Sequence, residues 1–111
     1  MKRILICADD VAVESLLVVL TKHMGHEPEV LGSAPSDAIP EGHLFLVDPT
    51  ASRATAWAEA LRRRDAGTPV VAIGLDPFDP DSLGFTPTEV IGKPFGFDEL
   101  SDSIARSLRR S

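Results

Sequence analysis

Short apolar runs that are continuous rather than alternating constrain this 111-residue chain more than any other feature. Four stand out: Ile4-Leu5-Ile6-Cys7-Ala8, Leu44-Phe45-Leu46-Val47, Val70-Val71-Ala72-Ile73 and Val90-Ile91. A strand with one wet face alternates apolar and polar residues. A strand that is apolar at every position is covered on both faces, as in a parallel sheet beneath helices. Glu29-Val30-Leu31 is a weaker fifth candidate. Between the runs the period changes to that of a helix. Val13, Leu16, Leu17, Leu20 and Met24 form one stripe, with Asp10 placed to cap its start and Gly25 just beyond its end. Ala54, Trp57, Ala58 and Leu61 form a second, in a helix predicted to begin near Thr50 to Ser52 and stop at Gly67. Arg62, Arg63 and Arg64 lie near its electronegative end. Phe97, Leu100, Ile104 and Leu108 form a third, with Asp98 and Glu99 in its first turn. Strand and helix in alternation predict an α/β fold, a doubly wound five-stranded parallel sheet with right-handed crossovers.

Two connections make poor helices. Residues 33–42 contain Pro35 and Pro40, and residues 75–88 contain Pro77, Pro80, Gly84 and Pro87. An interior proline costs about 3 kcal/mol, so the second and fourth helices are predicted to be short or irregular. No repeat or linker interrupts the pattern, and residues 1–111 are expected to form a single domain.

Composition excludes several functions. Eleven Lys and Arg against seventeen Asp and Glu give a net charge of -6, which argues against direct nucleic-acid binding. A single cysteine, Cys7, rules out an internal disulfide framework and reads as a small core residue. No stretch approaches the roughly 18 apolar residues of a membrane span, so no membrane insertion is expected. Lys2 and Arg3 could open a signal peptide, but the apolar run after them ends at Asp9. The chain reads as soluble and cytoplasmic. His23, His26 and His43 read as scattered surface histidines, and the arginines at 62 to 64, 106, 109 and 110 as solvated helix ends.

The chemistry gathers at the strand ends. In a doubly wound sheet, ligands sit beyond the carboxyl ends of the strands, where the strand order reverses. Asp9 and Asp10 follow the first run, Asp48 follows Leu44–Val47, and Lys93 follows the last run. Three neighbouring carboxylates repel one another, and Mg²⁺, a hard cation that prefers carboxylate and water oxygens, would relieve them. Three acids, one lysine and one divalent ion close the formal charge at zero.

Asp9-Asp10, Asp48 and Lys93-Pro94-Phe95, each after its strand and in this order, resemble the receiver domain of two-component response regulators. The resemblance spans the chain from Lys2 to the last helix. It implies a flavodoxin-like sheet of order 2-1-3-4-5 and a phosphoryl switch. Asp48 would be the phosphoryl acceptor, attacking a phosphohistidine of a sensor histidine kinase or phosphotransfer protein. Asp10 and Asp48 would bind Mg²⁺, with Asp9 binding it or one of its waters and the Thr50 carbonyl as a further ligand. Lys93 would pair with a phosphoryl oxygen, and the output would be contact with a downstream target protein.

Three positions depart from the family pattern. The fourth strand is followed by Gly74 where the family has Ser or Thr, Val90 stands where it has Tyr or Phe, and residues 75–88 are proline-rich where it has a helix. Asp76, Asp79 and Asp81 in that stretch read as solvated turn carboxylates. Two functions follow: a phosphoryl-accepting receiver, or a pseudo-receiver that binds partners without phosphorylation. Neither is a conventional enzyme. A small hydrolase or nucleotide binder of this fold would need a Gly-rich phosphate loop where Asp9-Asp10 stands.

Overall fold

The computed structural model describes residues 2–32, 39–49, 51–74, 87–92 and 96–110. Along the chain run β1 (Arg3–Cys7), α1 (Val11–His23), β2 (Glu27–Val30), β3 (Leu44–Val47), α2 (Ala54–Arg64), β4 (Val70–Ile73), β5 (Glu89–Ile91) and α3 (Phe97–Arg110). The strands form one sheet of order β2-β1-β3-β4-β5, parallel at every pairing. Three of the four continuous apolar runs are the inner strands β1, β3 and β4, whereas the fourth, Val90-Ile91, lies in the edge strand β5. The outer two are more polar, and β2 contains Pro28, whose missing N–H an edge strand tolerates. The proline-rich connections predicted as short or irregular helices lie largely outside the described residues. Their described parts, 39–42 and 87–88, are not helical.

Two cores flank the sheet because successive strand residues point to opposite faces. Leu5, Cys7, Phe45, Val47, Val70 and Ala72 pack under α2 with Trp57, Ala58 and Leu61. Ile4, Ile6, Leu44, Leu46, Val71 and Ile73 pack on the other side with Leu17, Leu100 and Ile104. The six residues on which the doubly wound reading turns, Ile4, Ile6, Phe45, Val47, Val71 and Ile73, are completely buried. Trp57 also secures α2 to the loop after β2, its indole Nε1–H donating to the Gly32 carbonyl at 3.0 Å.

The helices depart from the predicted stripes in three places. Leu16 is 46% exposed and Phe97 41% exposed, whereas Leu17, Thr21, Leu100 and Ile104 are buried. The exposed Phe97 ring meets His23 edge-on, 6.5 Å between centroids. α2 begins at Ala54, later than predicted, because the chain first turns tightly: the Ala51 N–H donates to the Asp48 carbonyl at 3.0 Å, and the Ala54 N–H to the Ala51 carbonyl at 3.1 Å. It ends at Arg64, where Asp65 goes extended and its carboxylate accepts the Gly67 N–H at 2.9 Å. α1 starts and stops where predicted, with Asp10 as its cap and Gly25 at φ +82° beyond it.

Two histidines fasten the start of β1. His43 Nδ1 accepts the Arg3 N–H at 3.0 Å, and His26 Nδ1 accepts the Lys2 N–H at 3.3 Å. Arg64, read as a solvated helix end, donates to the carbonyls of Ile39 and Pro40 at 2.9 and 2.7 Å. It thereby ties the β2–β3 connection to the end of α2.

Candidate functional site

Parallel register brings the ends of β1 and β3 side by side. Cys7 pairs with Val47, so Ala8 and Asp48 are the next residues out. The Asp48 N–H donates to the Cys7 carbonyl at 2.9 Å, extending the ladder by one step. Asp48 is 2% exposed, the one buried charged residue among those described. Its position between the last residue of a central strand and the turn to α2 fixes it from both sides.

The acid pair behaves differently. Asp10 is exposed and caps α1, its Oδ1 accepting the Ala12 N–H at 2.8 Å. Asp9 reaches across to the start of α2. Its Oδ2 accepts the Ser52 N–H at 2.8 Å, and its Oδ1 accepts from Arg53 Nη1 at 2.9 Å. Arg53 Nη2 also donates to the Ala8 carbonyl at 3.3 Å. α2 has no acid in its first turn and no side-chain bond from its own cap residue. Asp9 therefore supplies, from another element, the negative charge that a helix start favours. The Arg53 and Asp9 side chains are 20% and 44% exposed, so solvent screening keeps the ion pair's stabilisation to about 0–1 kcal/mol.

Arg53 is the site residue that the sequence reading missed. A lone arginine ahead of a helix is unremarkable in sequence, and the available signal is only its spacing, five residues past the strand-end acid. The other expected members are distributed as follows. Gly74, the residue after β4, is buried and donates its N–H to the Ile91 carbonyl at 2.9 Å, offering no hydroxyl. Val90 is 42% exposed on β5. Thr50 and Lys93 lie outside the described residues, as do Asp76, Asp79 and Asp81; Lys93 directly follows Gly92 at the end of β5. Beneath the acids, burial pushes the Cys7 thiol up to about 11; Arg53 opposes this, while Asp9, Asp48 and Glu14 add to it.

The donor set is hard carboxylate oxygen, which suits Mg²⁺ or another hard divalent cation. The structure brings Asp9, Asp10 and Asp48 to one edge of the sheet but commits Asp9 to α2 and Asp10 to α1. Among the described residues no three Asp, Glu, His or Cys side chains converge as a metal cage. A cation drawing on all three acids would share Asp9 with Arg53 and the Ser52 N–H. A cleft of about 430 Å³ opens elsewhere, lined by Arg3, Glu27, Glu41, His43, Arg64 and Asp65. Within it Arg3 lies 3.5 Å from Glu27, and 3.7 Å from the neighbouring Glu29. The three acids lie at the other end of the sheet, where β1 and β3 finish.

No protein-family model matches the sequence, and no curated protein is similar to it at the sequence level. Solved structures are similar in shape. A CheY-like response-regulator receiver domain protein from Methanospirillum hungatei superposes with a TM-score of 0.81 at 22% identity, over 98% of this chain and 94% of that one. The response regulator TrrA of Thermotoga maritima, solved with Mg²⁺ and beryllofluoride, gives 0.81 at 19% identity, over 96% and 99%. The fold is that of a response-regulator receiver domain. NtrX of Brucella abortus, crystallised with ADP, gives 0.80 at 21% identity over 97% of this chain, which spans only 27% of NtrX. In the receiver fold, strand order reverses between β1 and β3, the two strands that carry Asp9, Asp10 and Asp48. No helix among the described residues is long and apolar enough to cross a membrane.

Proposed function

We propose that this chain is a receiver that accepts a phosphoryl group on Asp48 in the Mg²⁺-dependent phosphorelay of a two-component system, with a cytoplasmic setting part of the same reading. The observation that carries it is the burial of that one carboxylate at the carboxyl end of a central strand, beside the strand-order reversal. Burying a charged carboxylate is expensive, and a turn-forming aspartate has no need of it. An Asp48 carboxylate oxygen attacks the phosphorus of a phosphohistidine held by a sensor histidine kinase or phosphotransfer protein. The O–P bond forms as the N–P bond breaks, and the leaving imidazole keeps the electron pair. The product is an acyl phosphate, which the burial of Asp48 shields from water.

Asp10, Asp48 and the Thr50 carbonyl would hold Mg²⁺, with Asp9 joining directly or through a water. When bound, the ion neutralises charge on the phosphoryl oxygens. Lys93 would pair with one of those oxygens. The Mg²⁺ and beryllofluoride bound by TrrA support this assignment by likeness of fold. The output is contact with a downstream protein. A titration with beryllofluoride and Mg²⁺, followed by amide chemical shifts, tests the reading: saturable shifts around Asp48 are expected, and their absence at saturating Mg²⁺ would count against it.

Two observations favour the second reading, a pseudo-receiver that works by contact alone. Gly74 offers no hydroxyl to a phosphoryl oxygen, and Arg53 already neutralises Asp9. Under that reading Asp48→Asn would leave partner binding unchanged.

A further inference from the structure

We infer that Arg53 is a resident counter-ion of the acid cluster which a divalent cation must displace, so that Arg53 sets how much Mg²⁺ the site requires. The inference rests on the phosphoryl-acceptor reading above and adds a regulator to that site. Arg53 places its guanidinium 2.9 Å from Asp9 Oδ1, and Ser52 N–H takes the other Asp9 oxygen at 2.8 Å. Both oxygens of the acid are thus engaged while the arginine is seated, and a cation that approaches Asp9 meets the guanidinium charge beside it.

That seat is an exchangeable one. Arg53 Nε is buried without a hydrogen-bond partner, an unmet demand that opposes the seated state. Asp9 is 44% exposed, so an incoming ion reaches it directly from solvent. Departure of the side chain need not unwind α2, because Arg53 occupies the cap position without making a side-chain cap bond. Arg53 also follows the turn that leaves Asp48, so its release couples the acid cluster to the start of α2. By linkage, whatever holds Arg53 on Asp9 weakens Mg²⁺, and Mg²⁺ weakens that hold equally.

Calorimetric Mg²⁺ titrations at constant ionic strength, on the wild type, Arg53→Gln, Asp9→Asn and the double variant, test this. Arg53→Gln alone is expected to tighten Mg²⁺ by about fivefold, but by less than about twofold when Asp9 is already Asn, since the arginine then has no anion to occupy. Arg53→Lys, which keeps the charge, should stay within about threefold of the wild type. In the wild type, the Arg53 Nε–Hε resonance should shift with Mg²⁺ and not with matched NaCl. Equal gains with and without Asp9 would reduce Arg53 to a long-range field and overturn displacement. Unchanged or weaker binding in Arg53→Gln, with Asp48 still phosphorylated, would overturn the inference and spare the acceptor reading. Failure of all four proteins to bind Mg²⁺ would overturn both.

Discussion

Asp10 has two separable jobs, capping α1 and contributing charge to the acid cluster. Asparagine caps about as well as aspartate, so Asp10→Asn should keep stability within about 0.5 kcal/mol while weakening Mg²⁺ binding. Asp10→Ala should weaken Mg²⁺ and also cost about 1 kcal/mol in urea denaturation. Loss of stability in both variants alike would mean that the charge, not the cap, supports the helix. His26 gives a pH dependence. Its pKa is lowered from 6.5, first by burial and then by neighbouring positive charge that includes Lys2. Above pH 6.5 the group is neutral folded or unfolded and its contribution is fully present; below it the unfolded chain takes the proton first. Stability should therefore fall as the pH drops below about 7, levelling once the pH is below the folded pKa, and His26→Gln should flatten the urea midpoint over that range. A curve unchanged by the substitution would remove His26 as the cause. The strand-end acids were legible in sequence, because aspartates directly after apolar runs land on one edge of any doubly wound sheet. Arg53 was not, since its partner lies 44 residues away and only folding brings the two together. The histidines escaped for the same reason: a surface histidine and one that accepts a distant backbone N–H look alike in sequence.

At the scale of elements, the strands were the easiest to read. β3 and β4 match their apolar runs residue for residue, because burial on both faces leaves no polar position to blur the ends. β2, half-exposed at an edge, lacks that mark and was only a weak candidate. The face of α1 was harder, because Val11, Leu16, Leu17, Val18, Val19 and Leu20 put apolar residues on every side. Only packing selects Leu17 for the interior and leaves Leu16 and Val19 half-exposed. The loop into β3 carries a tighter constraint. A Cβ on Gly42 would lie 2.5 Å from Leu5 Cγ, and Leu5 is completely buried in the core under α2. Gly42→Ala should thus cost about 1–3 kcal/mol through overpacking, read as a lower urea midpoint with an unchanged m-value. Wild-type stability in that variant would show that Leu5 can yield without loss.

Across the whole molecule, the two ends of the sheet are built for different tasks. The end where the strands begin is tied down by His26, His43 and Arg64, and Arg3 pairs there with Glu27. The end where they finish gathers Asp9, Asp10 and Asp48 with Arg53 as an internal cation. A phosphoryl group on Asp48 would add negative charge there, and the elements that start beside it, α1 and α2, are those capped by Asp10 and Asp9. The direct measurement is intact-mass spectrometry after incubation with acetyl phosphate and Mg²⁺, followed by borohydride trapping and peptide mapping. The expected result is one phosphoryl group on the wild type, mapped to Asp48, lost with EDTA and absent in Asp48→Asn. No phosphoryl group on the wild type, or an equal one on Asp48→Asn, would contradict the assignment of Asp48 as acceptor.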